Sequence, residues 1–228
     1  MARKAFDQEL RNLQSRIGSM GVQVDEVIGD TIKALKNHDL ELARYVFQHD
    51  NAINASQNNI EQMCFNLIAL QQPIAADLRL ITSILKMVTD VERIGDQCAD
   101  ICEIMATYPD FTNMKTPPDI INMFMIAREM FNGAIDSFMR RDLEEAERVI
   151  KRDDEVDNYF SRVVLDMSRV LSNDHTLVSQ ATDYMFIAKY IERIADHAVN
   201  IAEWTIYAAT GEQGKPFAQH PDEAERER

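Results

Sequence analysis

A chain of 228 residues with 46% hydrophobic and 27% charged side chains can bury a large core and is not a disordered polymer. Its formal net charge of −14 argues against general binding to nucleic acid or anionic lipid, both of which need basic patches. The longest uncharged run, residues 62–76, is too short to span a bilayer. The opening MARKAFDQEL lacks the apolar core of a signal peptide, and three cysteines are an odd count. These features lead us to expect a cytoplasmic protein with reduced thiols and no membrane insertion.

Gly and Pro are scarce, 7 and 6 in all, while apolar residues recur at three- and four-residue steps. The first long helix is predicted over 3–36, closed by Asn37-His38-Asp39, with Asp39 as the N-cap of the next. A second helix covers 40–71 and stops at Gln72-Pro73. A third, over 74–107, carries the stripe Ile81, Ile84, Leu85, Val88, Val91. The Pro-containing segment 108–118 follows, then helices over 119–140, 143–171 and 176–208, broken at Arg141-Asp142 and at 172–175. Asp142 reads as the N-cap of the fifth helix. No strand-like alternation competes, so the fold class is all-α.

The second half repeats the first. Residues 39–54 (DLELARYVFQHDNAIN) lie over 142–157 (DLEEAERVIKRDDEVD), and 92–103 (ERIGDQCADICE) over 192–203 (ERIADHAVNIAE). Both matches fall in the same order along the chain. The reading is two tandem antiparallel three-helix bundles, over 1–110 and 117–210, with a disordered polar tail over 211–228.

Acids sit at matched places in both units. Glu92 and Asp96, like Glu192 and Asp196, stand four apart, a spacing that sets like charges together on a helix at a cost of roughly 0.2–0.5 kcal/mol per pair. Pro73 lies 23 residues from both Asp50 and Asp96, and 19 from both Asn54 and Glu92. Equal rise per residue therefore places these four at matching heights on antiparallel neighbours. In the second unit Asp153 with Asp196, and Asp157 with Glu192, are centred on the predicted 172–175 loop. Glu92, Asp96, Ala99 and Glu103 lie within about 60° of one another, in line with part of the apolar stripe, so the carboxylates are expected to be partly desolvated. Grouped acids there must protonate, pair with cations or bind metal. A solvated acidic face helped by Arg93 and Arg193 is the plain alternative. An all-oxygen donor set favours Mg²⁺, Mn²⁺, Ca²⁺ or iron over Zn²⁺, and several carboxylates together favour more than one ion per site.

Other groups carry less. Cys98 and Cys102, four apart, are read as small core residues, as are Met123, Phe124 and Met125. His49 and His197 neighbour acids in sequence but point elsewhere, which assigns them surface roles. No Gly-rich phosphate loop or nucleophile elbow is present, so no catalytic residues are assigned.

At ERIGD and ERIAD, each inside a three-helix repeat, the sequence resembles the PhoU family of phosphate-uptake regulators. The family's duplicated Glu/Asp-x-x-x-Asp motif stands here as Glu92–Asp96, Glu192–Asp196 and Asp153–Asp157, with Asp50–Asn54 a degenerate copy; PIAADLRL at 73–80 is similar to its first-unit loop and helix start. The resemblance implies a cytoplasmic, homo-oligomeric (dimeric) negative regulator of phosphate-starvation signalling. It implies no enzymatic activity, and action through a phosphate ABC transporter and a sensor histidine kinase. It further implies metal ions, possible identities being iron, Mn, Mg or Zn, in multinuclear clusters on the acidic motifs. The candidate metal residues are Asp50, Asn54, Glu92, Asp96, Asp100 and Glu103 in the first unit, and Asp153, Asp157, Glu192, Asp196, Asn200 and Glu203 in the second. Two readings from other classes stay open: a di-iron carboxylate oxidase, although no His has Glu three residues before it, and a metal-free helical adaptor.

Overall fold

The computed structural model describes residues 2–48, 51–71, 73–107, 111 and 114–212. Within them the chain forms α1 (Ala2–Asn37), α2 (Leu40–Gln48), α3 (Asn51–Gln71), α4 (Ala75–Thr107), α5 (Pro118–Arg140), α6 (Leu143–Asn173) and α7 (Val178–Thr210), with a 3₁₀ turn at His175–Leu177. The predicted second helix appears as α2 and α3 on either side of residues 49 and 50, which lie outside the described residues together with the candidate ligand Asp50. The expected disordered tail also lies outside them from residue 213 onward.

The punctuation of the repeat is local chemistry. α1 and α5 both end on a non-glycine residue in the left-handed region, His38 at φ 52° and Arg141 at φ 57°. The next amide then reaches back to the helix: Asp39 N–H to Ala34 O at 3.0 Å, Asp142 N–H to Ser137 O at 2.9 Å. Asp39 and Asp142 at once begin the following helices, their Oδ1 atoms accepting from Leu42 N–H and Glu145 N–H at 3.0 and 3.1 Å. The break before α7 is narrower than the sequence indicates, because α6 runs on to Asn173 and the 3₁₀ turn starts at His175.

Each unit is a three-helix group, and the two groups share a core. α1, α4, α7 and α5 pack in a closed ring, with α2 and α3 outside α1 and α4, and α6 outside α5 and α7. The burial patterns explain the layout. α4 and α7 are apolar around most of their circumference and sit inside, whereas α6 buries only the narrow stripe Ala146, Val149, Val156, Val163, Met167 and stays peripheral. Met123 and Phe124 are core, as expected; Met125, on the same helix, faces outward. All three cysteines are buried free thiols, and burial pushes Cys64 and Cys102 up to about 12, which fits packing rather than ligation.

Polar ties register the two units. Arg128 of α5 forms a bidentate pair with Asp25 of α1, at 2.6 and 2.7 Å, and Asn132 adds a third bond at 2.7 Å. The linker is anchored at its middle. Phe111 is fully buried, 5.1 Å from the Tyr184 ring and 6.0 Å from His38. Thr116 donates to Leu35 O at 2.8 Å and lies 3.1 Å from the Tyr184 hydroxyl. Removing this plug leaves a cavity between the units, so Phe111→Ala should cost about 3–5 kcal/mol, read as a lower denaturation midpoint. A loss below about 1 kcal/mol would show that the linker does not cement them.

Candidate metal centre

The second unit brings its four motif acids together. Asp153 and Asp157 stand one turn apart on α6, Glu192 and Asp196 one turn apart on α7, and the two helices run antiparallel. Burial raises the Asp153 carboxyl first, and the charges of Asp196, Asp157 and Glu192 raise it further, to about 7. Asp157 is raised as well, by burial and then by Glu192. These are the cross-helix pairs that equal rise from the loop requires. Glu192 is only 17% exposed in its side chain, and Lys189 reaches its Oε2 at 2.6 Å. That ammonium also lowers Asp157, against the burial and neighbouring acids that raise it.

The first unit is arranged differently. Glu92 is 12% exposed and Asp96 27%, so both are partly desolvated as the apolar stripe implied. Arg93 swings across this pair, 2.8 Å from Asp96 and 3.6 Å from Glu92. Asn54 of α3 is half-buried and brings no charge. Arg93 thus pairs with Asp96 but stands beyond hydrogen-bond distance of Glu92, whose Oε2 is buried.

Comparison with known proteins decides what this duplicated framework is. A PhoU domain matches residues 17–105 and again 120–205. The chain belongs to the PhoU family. It is 36% identical, over 93% of its length and 98% of the relative's, to the phosphate-specific transport system accessory protein PhoU homolog of Clostridium acetobutylicum. It is 30% identical to PhoU of Escherichia coli, over 91% of this chain and 86% of that one. Among solved structures it resembles PhoU from Pseudomonas aeruginosa, with a TM-score of 0.85, 31% identity, and coverage of 91% and 100%. The PhoU regulatory protein from Streptococcus pneumoniae gives a TM-score of 0.85 at 28% identity, covering 91% and 98%. The family is one of accessory regulators rather than enzymes, so the oxidase reading is set aside. No described helix is long and apolar enough to cross a membrane.

Within this PhoU fold, four of the twelve candidate residues stand elsewhere, on the seam between α4 and α7. Asn200 donates to Asp90 Oδ1 at 3.1 Å, and Glu203 is buried, its carboxyl raised by burial and then by Asp90. Across the pseudo-twofold, Tyr190 takes the place of Asp90 and is raised by burial and then by Asp100 and, more weakly, Glu103. The reason is distance along the axis. Eleven residues beyond Glu192 is three turns, about 16 Å, and there α7 meets α4 instead of the acids of α6. His197 also belongs to this seam, its Nδ1 2.9 Å from Asp90 Oδ1, and is not the surface residue that its sequence neighbours implied. His49 lies outside the described residues.

The donor set at α6 and α7 is chemically suited to a hard cation: four carboxylates, of which Asp153, Glu192 and Asp196 are partly buried and Asp157 is exposed. Among the described residues no three His, Cys, Asp or Glu side chains already converge on one point, so the carboxylates would have to turn inward to close on an ion. Without metal, Asp153 gives a pH signature. A carboxyl raised by folding stabilises the fold fully below its ordinary value near 3.8, less as pH rises, and not at all above about 7. Chelator-treated protein should therefore lose stability between pH 4 and 7. Asp153→Asn should flatten that slope and stabilise the protein at pH 8 by on the order of 1–2 kcal/mol, a value already reduced for solvent screening. An unchanged slope in Asp153→Asn would contradict the crowding.

Proposed function

We propose that this chain is a metal-binding negative regulator of phosphate uptake and phosphate-starvation signalling. On this reading it works in the cytoplasm, through a phosphate ABC transporter and a sensor histidine kinase. Its relatives carry the name of phosphate-specific transport accessory proteins, which supports the transporter. The kinase and the dimeric state rest on the family resemblance alone. The single observation that carries the metal half is the crowded acid group at α6 and α7, where burial and then its acidic neighbours raise Asp153 to about 7. Asp153, Asp157, Glu192 and Asp196 would hold the ion, with Glu92, Asp96, Asn54 and Asp50 as a weaker first-unit set. A bound cation would supply positive charge and Lewis acidity there. What the side chains do is bridge: two acids on peripheral α6 and two on central α7, so that occupancy ties an outer helix to the core.

The formal motif charge is −4 in the second unit and −3 in the first, where Asn54 stands opposite Asp157 in the repeat and Arg93 adds a competing cation. The second unit should hold metal more tightly. Asp157→Asn should weaken binding by roughly tenfold or more, and Asn54→Asp should strengthen the first unit, read as metal per chain and as the metal-induced rise in Tm. Unchanged metal content in Asp157→Asn would contradict this site, and a wild type that binds no metal would favour the metal-free adaptor. In cells, deletion of the protein should leave phosphate-starvation genes expressed in rich phosphate; intact repression would contradict the regulatory half.

A further inference from the structure

The internal repeat makes the two ends of the central helix ring comparable, and they are finished differently. At one end α1 terminates at Leu35–His38 beside the start of α7, and the linker crosses the gap with Phe111 and Thr116. The repeat maps Leu35 and His38 onto Phe138 and Arg141, at the end of α5. There, among the described residues, no segment crosses, and a cavity of about 330 Å³ opens between α1, α4, α5 and α7. Its walls include Leu10, Leu80, Phe138 and Ala208, and Arg79 and Arg141 also line it.

The two arginines are the informative part. The Nε of Arg79 is buried and has no hydrogen-bond partner among the described residues. Its guanidinium lies against Gly211, where an added Cβ would stand 3.3 Å from Cζ, Nε and Nη1. Gly211 sits at φ 78° as the cap of α7, so glycine is suited both to the backbone turn and to the close approach. Arg141 is exposed and forms no ion pair among the described residues. The carboxylate that shares the cavity, Asp77, is engaged by Arg3 at 2.7 Å. Arginines in a chain of net charge −14 have many acids to pair with, yet among the described residues these two form no ion pair beside the concave, partly apolar space they line.

We propose that this cavity binds a small organic oxyanion, a phosphate or carboxylate carried on a compact apolar body. Guanidinium groups match oxyanions through paired N–H donors. A volume of about 330 Å³ with apolar walls and a few polar groups is the form of a small-molecule site. Gln14 and Thr205 line the same space and can complete the hydrogen bonding. None of these residues belongs to the acid group on α6 and α7, so the site stands or falls independently of metal binding.

The test is isothermal titration of the full chain with phenyl phosphate, benzoate, inorganic phosphate and benzyl alcohol. One equivalent of phenyl phosphate or benzoate should bind saturably, and whichever is tighter identifies the oxyanion. Benzyl alcohol, which keeps the body and lacks the charge, should not bind. Arg79→Gln and Arg141→Gln should each weaken binding by about fivefold or more. Arg141→Gln, at an exposed position, keeps the test decisive should Arg79→Gln fail to fold. Absence of saturable binding by both aromatic anions, affinity unchanged in Arg141→Gln, or tighter binding of inorganic phosphate than of phenyl phosphate would each overturn the proposal.

Discussion

The antiparallel contact between α4 and α7 is the constraint on which the other placements depend. These are the repeat-related helices, both apolar around most of their surface, and each needs cover on several sides. They provide it for one another in the middle of the molecule, and α1 with α5, then α3 with α6, close the remaining sides. The seam is also where polar side chains of the two units meet. Asp90 holds His197 and Asn200, while Tyr190 takes the equivalent place opposite Asp100 and Glu103. Because the seam fixes the rotation of α4 and α7 about their axes, it also fixes which residues are turned outward toward α3 and α6. Those are the motif acids.

The duplicated framework thus presents two comparable acid faces, but side-chain chemistry makes them unequal. In the first unit Arg93 pairs with Asp96 at 2.8 Å and stands 3.6 Å from Glu92. In the second, Lys189 pairs with Glu192 and also eases Asp157, while burial and then neighbouring acids still raise Asp153 and Asp157. A partly buried group of carboxylates destabilises a fold unless protons or cations join it. On the proposed reading, a cation held there would join a peripheral helix to the central ring.

Much of this was legible in the residues. Asp39 and Asp142 marked the helix starts through their capping chemistry, and the repeat fixed the number of units. The pairing of Asp153 with Asp196 and of Asp157 with Glu192 followed from equal rise away from a short loop, and the structure places these residues side by side. The seam was not legible. Periodicity showed that α4 and α7 are buried, but not that each buries the other, since Asp90 and His197 are 107 positions apart. Without that contact, Asp100, Glu103, Asn200 and Glu203 extended the acid stripe on paper, and His197 looked like a surface residue. The apolar character of α4 and α7 on nearly every side was the available signal, because a helix in a lone three-helix bundle has one face left for water.

The most direct test of the account is anomalous diffraction from crystals of the full chain grown with Mn²⁺ or iron. The account predicts a strong anomalous peak between α6 and α7, with oxygens of Asp153, Asp157, Glu192 and Asp196 at about 2.0–2.4 Å, and a weaker or absent peak beside Glu92 and Asp96. A protein that binds the ion only beside Glu92 and Asp96, or nowhere on these helices, would contradict it.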